Sequence, residues 1–227
     1  DPAIDQEIEN KLFEGVKSLL PEGTTLAQFT DQYIQSSQKV GPSMADDIKN
    51  AAFLAVVFAM FCMAAYILLR FRDISFSVGA FASVAVTTLC IISFYTLLWK
   101  VLPFSMEVDQ TFIAAILTII GYSINDTVVV FDRIRETIGL YPKRDRYQVI
   151  NDALNSTLSR TFNTSLTTLV VVLCIFILGG ATIRSFTFAI LLGIIIGTYS
   201  TLFVATPIAY ELQKKKINKK AAAEAGK

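Results

Sequence analysis

The chain has 227 residues, of which 53% are hydrophobic, and its mean hydropathy is +0.54. This composition excludes an ordinary soluble domain and indicates an integral membrane protein. The formal net charge is +1 and the chain contains no histidine, which excludes histidine-based catalysis and metal binding by imidazole. The three cysteines lie in apolar runs without CxxC spacing, so they predict neither a zinc site nor a disulfide framework.

The first 46 residues are polar and rich in acidic side chains. Apolar residues recur at helical spacing between Ile4 and Leu20, which predicts an amphipathic helix that ends at the turn around Pro21. The apolar surface of this segment is too small for an independent core. We therefore expect residues 1–46 to be the remnant of a larger domain outside the membrane.

Five apolar runs follow, each close to the roughly 20 residues that a helix needs to cross the bilayer core. They cover approximately residues 49–70, 75–99, 110–132, 161–179 and 186–211, with an amphipathic segment at 147–158 before the fourth run. The sequence therefore predicts an all-α polytopic membrane protein. Its transmembrane helix bundle would occupy residues 47–211, and a basic tail would occupy residues 212–227.

Basic residues collect at alternate ends of these runs and predict the orientation of the chain. One side carries thirteen arginines and lysines, namely Arg70, Arg72, Arg133, Arg135, Lys143, Arg144, Arg146, Arg160, Lys214, Lys215, Lys216, Lys219 and Lys220. The opposite ends of the runs carry Lys49, Lys100 and Arg184. The positive-inside rule then predicts a multi-pass protein of the cytoplasmic membrane, with its N-terminus outside the cell and its C-terminus in the cytoplasm.

Asp126 lies inside the third apolar run and is the main candidate for function. An aspartate at the centre of a membrane helix costs about 3 kcal/mol on the insertion scale. Apolar surroundings favour its neutral form and a nearby arginine favours its charged form, so such a carboxylate is suited to load and unload protons. The alternative is a structural hydrogen bond from Asp126 to a serine or threonine of a neighbouring span.

Arg160 is the candidate partner of Asp126 because it begins the fourth span. Arg160, Thr164 and Thr167 are spaced i, i+4 and i+7 and share one helical face. This face offers a cation and hydroxyl groups, which suits an ion pair that opens and closes on protonation. The alternative is a topology-setting arginine followed by a packing face of small polar residues.

Other polar and small residues support this interpretation. Tyr122 and Asn125 flank Asp126 as possible hydrogen-bond donors, and Gly193 and Gly197 form a small-xxx-small motif for close helix packing. The alternating charges of 132–136 predict an exposed, salt-bridged helix end. No glycine-rich phosphate loop, nucleophile elbow, metal-ligand cluster or nucleic-acid-binding patch is present in the sequence, so an enzyme is not expected.

Four sequence motifs resemble those of the SecF family of protein-export membrane proteins, which includes the SecF half of fused SecDF chains. They are GYSINDTVVVFDRIRE at 121–136, SRTFNTSLTT at 159–168, GGATIRSF at 179–186 and VGP at 40–42. The resemblance implies a member of the resistance-nodulation-division superfamily in a bacterial cytoplasmic membrane. It implies work beside the SecYEG channel and a SecD partner, where the proton gradient would help to draw out secreted polypeptides that the SecA motor has pushed in.

The resemblance also implies roles for single residues: Asp126 matches the intramembrane aspartate of the family, Arg160 its arginine partner and Thr164 a threonine of the proton path. No cofactor is implied, and the coupling ion would be H⁺, with Na⁺ as the alternative. The family unit has six spans, so this chain would supply spans 2–6. A separate SecF and a fused SecDF both fit, and a small-molecule exporter or a structural module without proton coupling stay as alternatives.

Overall fold

The computed structural model describes residues 2–21, 23–34, 42–102, 104, 106 and 108–225. Val40 and Gly41 of the VGP motif lie outside the described residues. The chain divides into two compact units, Asp1–Asp46 and Asp47–Lys227.

The first unit is small and helical. Helix α1 spans Pro2–Val16 and is followed by a 3-10 turn, and a short helix α2, Leu26–Gln28, runs into a π-helical turn, Phe29–Tyr33. Thr25 caps α2, because its hydroxyl accepts a hydrogen bond from the Gln28 backbone N–H at 3.4 Å. Phe29 is buried, and its ring centre lies 5.5 Å from that of Phe13. This pair provides the apolar centre of the unit.

The second unit contains the long helices. They are α3 (Pro42–Phe71, which begins shortly before the unit), α4 (Ile74–Leu98), α5 (Gln110–Leu140), α6 (Arg146–Leu178), α7 (Ala181–Ser200) and α8 (Thr206–Ala225). A π-helical turn, Thr201–Ala205, joins α7 to α8 without a break in the helix. Among the described residues, five segments are long and apolar enough to cross a membrane: Lys49–Phe71, Ile74–Leu98, Gln110–Leu140, Arg146–Leu178 and Ile183–Lys219. The predicted all-α fold with five transmembrane helices is therefore confirmed.

Aspartates cap the starts of three of these helices. The carboxylates of Asp73, Asp109 and Asp145 accept hydrogen bonds from backbone N–H groups in the first turns of α4, α5 and α6. Each cap satisfies an N–H group that has no partner inside its own helix. The caps therefore fix the points at which the chain enters these three helices.

Helix α6 differs from the sequence-based expectation, in which an amphipathic segment preceded a separate span. The structure has one helix over Arg146–Leu178. Val149, Ile150 and Ala153 are buried, and Arg133 of α5 donates a hydrogen bond to Ser156 at 3.0 Å. The amphipathic segment continues the helix because no glycine or proline separates it from the span.

The helices approach closely at glycines. A Cβ atom on Gly193 would overlap the side chain of Ile119 on α5, and one on Gly197 would lie 2.7 Å from the hydroxyl oxygen of Ser123. On α4, a Cβ atom on Gly79 would lie 2.5 Å from the backbone carbonyl oxygen of Ala205. Gly193 and Gly197 therefore allow side chains of α5 to pack directly on the backbone of α7, and Gly79 allows α4 to approach the backbone of the α7–α8 junction.

Gly79→Ala tests the second of these contacts. We expect the substitution to lower the free energy of unfolding by about 1–3 kcal/mol, because a backbone atom cannot move away as a side chain can. The measurement is thermal unfolding of the purified protein in detergent. Gly121→Ala is the matched control, since nothing lies within 4 Å of its new Cβ atom, and it should leave stability equal or slightly higher. Equal stability of the two variants would contradict close packing at Gly79.

Candidate functional site

Asp126 is buried in the middle of α5 and is only 5% exposed. Its Oδ2 atom lies 3.4 Å from the hydroxyl oxygen of Ser165 on α6. The Ser165 hydroxyl in turn lies 2.7 Å from the hydroxyl oxygen of Thr198 on α7. The carboxyl group therefore begins a chain of hydroxyl groups at the point where α5, α6 and α7 meet.

The number of hydrogens in this chain limits how it can be arranged. In one arrangement Thr198 donates its hydroxyl hydrogen to the backbone carbonyl of Ile194 at 2.8 Å and Ser165 donates to Thr198. Ser165 then has no hydrogen left for Asp126, whereas in the other arrangement Ser165 donates to the Oδ2 atom of Asp126 at 3.4 Å. A protonated Asp126 completes the chain by donating to Ser165, whereas an ionised Asp126 needs Ser165 to turn toward it.

The chain therefore has two consistent arrangements of hydrogen bonds, one for each protonation state. With the neutral acid, the bonds run from Asp126 through Ser165 and Thr198 to the carbonyl of Ile194. With the carboxylate, Ser165 donates to Asp126, and Thr198 is free to donate to Ser165 in place of Ile194. Transfer of one proton would therefore exchange the donor and acceptor in the hydrogen bonds that join α5, α6 and α7.

A second set of hydroxyl groups lies next to this chain. Thr127 donates to the carbonyl of Ser123 at 2.9 Å, so Thr201 is the donor in the 3.1 Å contact between Thr127 and Thr201. Ser83 of α4 donates to the hydroxyl of Ser200 at 2.9 Å, and Ser200 donates to the carbonyl of Ser83 at 3.0 Å. Buried hydroxyl groups therefore connect four helices around Asp126, in a region where an ordinary bundle is apolar.

Two buried hydroxyl oxygens, those of Ser123 and Thr161, have no hydrogen-bond partner among the described residues. Ser123 lies one helical turn before Asp126 on α5. Thr161 lies one turn before Ser165 on α6 and one turn after Thr157. Both unpaired groups are thus adjacent in sequence to the Asp126 chain, where they can accept or donate a further hydrogen bond.

An open cleft of about 710 Å³ lies at the end of the bundle where α5 carries Arg133. Its walls include Arg70, Asp132, Arg133 and Glu136. Arg70 pairs with Asp132 at 2.9 Å and Arg133 with Glu136 at 2.8 Å, which confirms the predicted salt-bridged helix end. Val129 also lines the cleft, so the cleft comes within one helical turn of Asp126 along α5.

Arg160 lines this cleft and is exposed. The ion pairs among the described residues do not include it, so no direct pair with Asp126 is formed in this structure. Thr164 is half-buried and donates to the carbonyl of Arg160 at 2.9 Å, and Thr167 is exposed and donates within its own helix. The coupling roles of these three residues stay predictions.

The two residues that flank Asp126 point in different directions. Asn125 is exposed. Tyr122 is half-buried, and its hydroxyl donates to Thr168 of α6 at 3.4 Å. Tyr122 therefore helps to join α5 to α6 one turn away from Asp126, and Asn125 does not contribute to the buried hydroxyl groups.

Sequence reasoning missed the face of α6 that meets Asp126. The face that meets Asp126 carries Thr161, Ser165 and Thr168, at spacing i, i+4 and i+7. The predicted face has the same spacing, shifted one residue earlier, and carries Arg160, Thr164 and Thr167. One residue rotates a helix face by about 100°, so the two sets point in clearly different directions. Both sets carry hydroxyl groups, and only the packing of α6 against α5 shows which one reaches the carboxylate.

Comparison with known proteins places the chain in a family. Residues 22–215 match the family described as "Protein export membrane protein SecD/SecF, C-terminal". The chain belongs to this SecD/SecF family. A protein translocase subunit SecF from Rhodothermus marinus is 43% identical over 209 residues, which cover 92% of this chain and 65% of that protein. The SecF subunit of Petrotoga mobilis is 40% identical over 183 residues, covering 81% of this chain and 58% of that protein.

Solved SecDF structures share the fold. A crystal structure of SecDF in its super-membrane-facing form has a TM-score of 0.69 and 32% identity, over 90% of this chain and 28% of that one. SecDF from Thermus thermophilus, described as a translocon-associated membrane protein, has a TM-score of 0.69 and 39% identity, over 77% of this chain and 23% of that one. The chain thus spans less than two thirds of the length of these SecF relatives and about a quarter of the SecDF chains.

Ser165→Ala tests the buried hydroxyl chain of this SecD/SecF member. We expect it to lower the free energy of unfolding by about 0.5–2 kcal/mol, because Asp126 and Thr198 both lose a buried partner. Ser93→Ala is the matched control: Ser93 is exposed, and its hydroxyl donates only to the Leu89 carbonyl of its own helix. Unfolding in detergent measures both. If the two substitutions had the same effect, Ser165 would not hold the helices together.

Proposed function

We propose that this chain forms the membrane core of a SecF-type subunit that couples proton movement through Asp126 to protein export. The observation that supports this proposal is a buried carboxyl group in a reversible hydroxyl chain, one helical turn from an open cleft. Ionisable groups inside a membrane bundle are typical of proton relays. A purely structural aspartate needs neither an open cleft nearby nor two arrangements of its hydrogen bonds.

Protonation of Asp126 changes which helices are joined and how strongly. In the protonated state, Asp126 would donate to Ser165 across the 3.4 Å contact and Ser165 would donate to Thr198 across the 2.7 Å contact, which would link α5, α6 and α7 in series. The carboxylate draws the Ser165 hydroxyl toward α5, because hydrogen bonds to charged groups are the stronger ones. Loss of the proton therefore favours a shift of α6 toward α5 and weakens the Ser165 bond toward α7.

The route of the proton to the cleft follows one face of α6. Thr157 lines the cleft, Thr161 is buried with an unpaired hydroxyl, and Ser165 contacts Asp126. These residues are spaced by four, so they stack on successive turns of the helix. Hydroxyl groups both accept and donate hydrogen, which lets such a row pass a proton, with water, between Asp126 and the cleft.

Arg160 completes the site when Asp126 is charged. Arg160 lines the cleft and has no carboxylate partner in the part of the chain that the structure describes, and its long side chain can extend along the helix toward a buried charge. An ionised Asp126 attracts it, and a protonated Asp126 releases it. Thr164 and Thr167 lie on the same face of α6 and would line the path of the moving side chain.

The basic residues and the relatives support the proposed orientation and partners. The chain would cross the cytoplasmic membrane five times with its N-terminus outside and its basic C-terminus inside. The relatives named protein translocase subunit SecF, and the SecDF structure described as translocon-associated, support assembly with SecD and action beside the SecYEG channel on secreted polypeptides. Either a separate SecF or the SecF half of a fused SecDF can supply this core.

The coupling ion in this proposal is H⁺, with Na⁺ as the alternative. Carboxylate and hydroxyl oxygens are ligands for both ions in principle. The contacts of Asp126 support a proton, because a hydroxyl chain through Ser165 and Thr198 can accommodate either protonation state of the carboxyl group. Export that needs Na⁺ in the medium would favour the alternative.

Asp126→Asn is the direct test of coupling. We expect proton flux during export to fall to background when the full-length protein is reconstituted with its SecD partner, SecYEG, SecA and a substrate chain, because asparagine cannot carry the proton. Asp152→Asn is the matched control, since Asp152 lies on α6 in an exposed pair with Arg144, does not line the cleft and should leave flux largely unchanged.

The two outcomes that oppose this proposal differ from each other. Unchanged flux in the Asp126→Asn protein would show that Asp126 does not carry the proton. A lowered abundance of the assembled complex, with normal flux per complex, would instead indicate a structural module without proton coupling. Counting the complex in the same vesicles distinguishes the two.

Thr161→Val tests the route along α6. Valine keeps the shape of threonine but cannot hydrogen-bond, so we expect flux to fall roughly tenfold, as for a barrier raised by about 1.4 kcal/mol. Thr118→Val on α5 is the control, because Thr118 is exposed and donates only to the Ala114 carbonyl of its own helix. Equal flux in the two variants would remove Thr161 from the route.

A further inference from the structure

A second cleft, separate from the Asp126 site, lies at the same end of the bundle and has a volume of about 360 Å³. The turn between α3 and α4, the last part of α5, the start of α6 and the middle of α8 form its walls. Four basic residues line it, Arg72, Arg135, Arg146 and Lys216, together with a single carboxylate, that of Asp73. We call it the basic cleft.

The charges of the basic cleft are unbalanced. Asp73 pairs with Lys216 at 3.4 Å and also caps α4, so its carboxylate is already engaged. Arg72, Arg135 and Arg146 take part in no ion pair among the described residues. Arg135 donates to the backbone carbonyl of Arg70 at 3.3 Å. The three arginines therefore line one cavity without a carboxylate partner among the described residues, and a bound anion would relieve their repulsion.

Arg72 lies in an unfavourable backbone conformation. Its φ is 54°, in the left-handed region, and its N–H donates to the carbonyl of Leu68 at 2.8 Å to end helix α3. Glycine or asparagine is usual at such a position, and other residues cost about 1 kcal/mol there. An arginine at a position that favours glycine indicates that its side chain has a use.

The basic cleft lies at the level where the membrane spans end. Its buried apolar wall is formed by Phe71, the last residue of α3, and by Phe76 in the first turn of α4. Next to it, Leu69 and Ile74 are 78% and 67% exposed on the outer surface of the spans. An occupant of the cleft would therefore touch both the charged end of the bundle and the surface that faces lipid tails.

We propose that the basic cleft binds the phosphate headgroup of an anionic phospholipid. The planar guanidinium groups of Arg72, Arg135 and Arg146 suit bidentate contacts with phosphate oxygens, and Lys216 adds a fourth positive charge. The buried amide of Gln213 also lines the cleft and can donate to the headgroup. The acyl chains would lie along the apolar surface around Ile74.

Geometry favours a lipid over a soluble anion or an acidic protein segment. Basic pockets between helices at the cytoplasmic face are a recurring form of headgroup site. A lipid gains binding energy from its tails on the adjoining apolar surface as well as from its phosphate, whereas inorganic phosphate gains only the second. A protein segment would have to displace lipid from the exposed side chains beside the cleft.

The test compares lipid retention by the full-length protein in native mass spectrometry, after detergent extraction and titration with phosphatidylglycerol or phosphatidylcholine. We expect phosphatidylglycerol to bind preferentially. The combined substitution Arg72→Gly, Arg135→Gln and Arg146→Gln should weaken this binding more than roughly tenfold. Glycine at position 72 suits the local backbone, so this change should not harm folding, and thermal unfolding without added lipid checks it.

Lys214→Gln, Lys215→Gln and Lys219→Gln together form the matched control. They remove the same charge from exposed positions of α8 that do not line the cleft, and they should leave phosphatidylglycerol binding nearly unchanged. Equal losses in both triple variants, or no preference for phosphatidylglycerol in the unsubstituted protein, would overturn the proposal. So would displacement of the lipid by inorganic phosphate at equal concentration, which would assign the cleft to a free anion. Unchanged lipid binding with lost association to a partner protein would assign it to an acidic segment of that partner.

Discussion

The structure depends on keeping one carboxyl group hydrogen-bonded where water is scarce. Serines and threonines surround this carboxyl group, and several of them use their own helix as a hydrogen-bond acceptor. Thr87, Thr127 and Thr198 each donate to a carbonyl one turn earlier in the same helix. Such hydroxyl groups cost little inside a membrane helix, and their oxygens remain able to accept from a neighbouring helix. A hydroxyl group on a neighbouring segment, that of Ser165 for Thr198 or that of Thr201 for Thr127, can then donate to the threonine oxygen.

Close packing and polar chemistry use the same helix faces. Along α7 and into the π-helical turn that follows it, Gly193, Gly197 and Thr201 recur at intervals of four. They meet Ile119, Ser123 and Thr127 of α5 at the same intervals. The two glycines let the helices approach, and this approach brings the threonines to within hydrogen-bond distance. A larger side chain at Gly197 would therefore separate the helices beside Asp126 as well as crowd Ser123, so packing here determines the geometry of the site.

Much of the fold follows from the sequence, and part of the site does not. Hydropathy locates the five spans because each span obeys the same requirement for length and apolarity, and Asp126 stands out because a buried charge is costly. The residue of α6 that contacts Asp126 does not follow from the sequence. Two faces of α6 carry hydroxyl groups at the same helical spacing, one with Arg160, Thr164 and Thr167 and the other with Ser165. The continuous helix through residues 146–178, by contrast, is consistent with the sequence, because no glycine or proline interrupts it.

Helix α5 connects the two clefts at the basic end of the bundle. Asp132 on one side of α5 binds Arg70, and Arg135 on another side donates to the backbone carbonyl of Arg70 at 3.3 Å while it lines the basic cleft. The end of α3 is thus fastened to α5 at two points, and Arg72 follows directly after it. In the proposed mechanism, a displacement of α5 relative to α6 on proton transfer at Asp126 would therefore move the turn that carries Arg72. Because residues of this turn, of α5 and of α6 line the basic cleft, its shape would then change with the protonation state of Asp126.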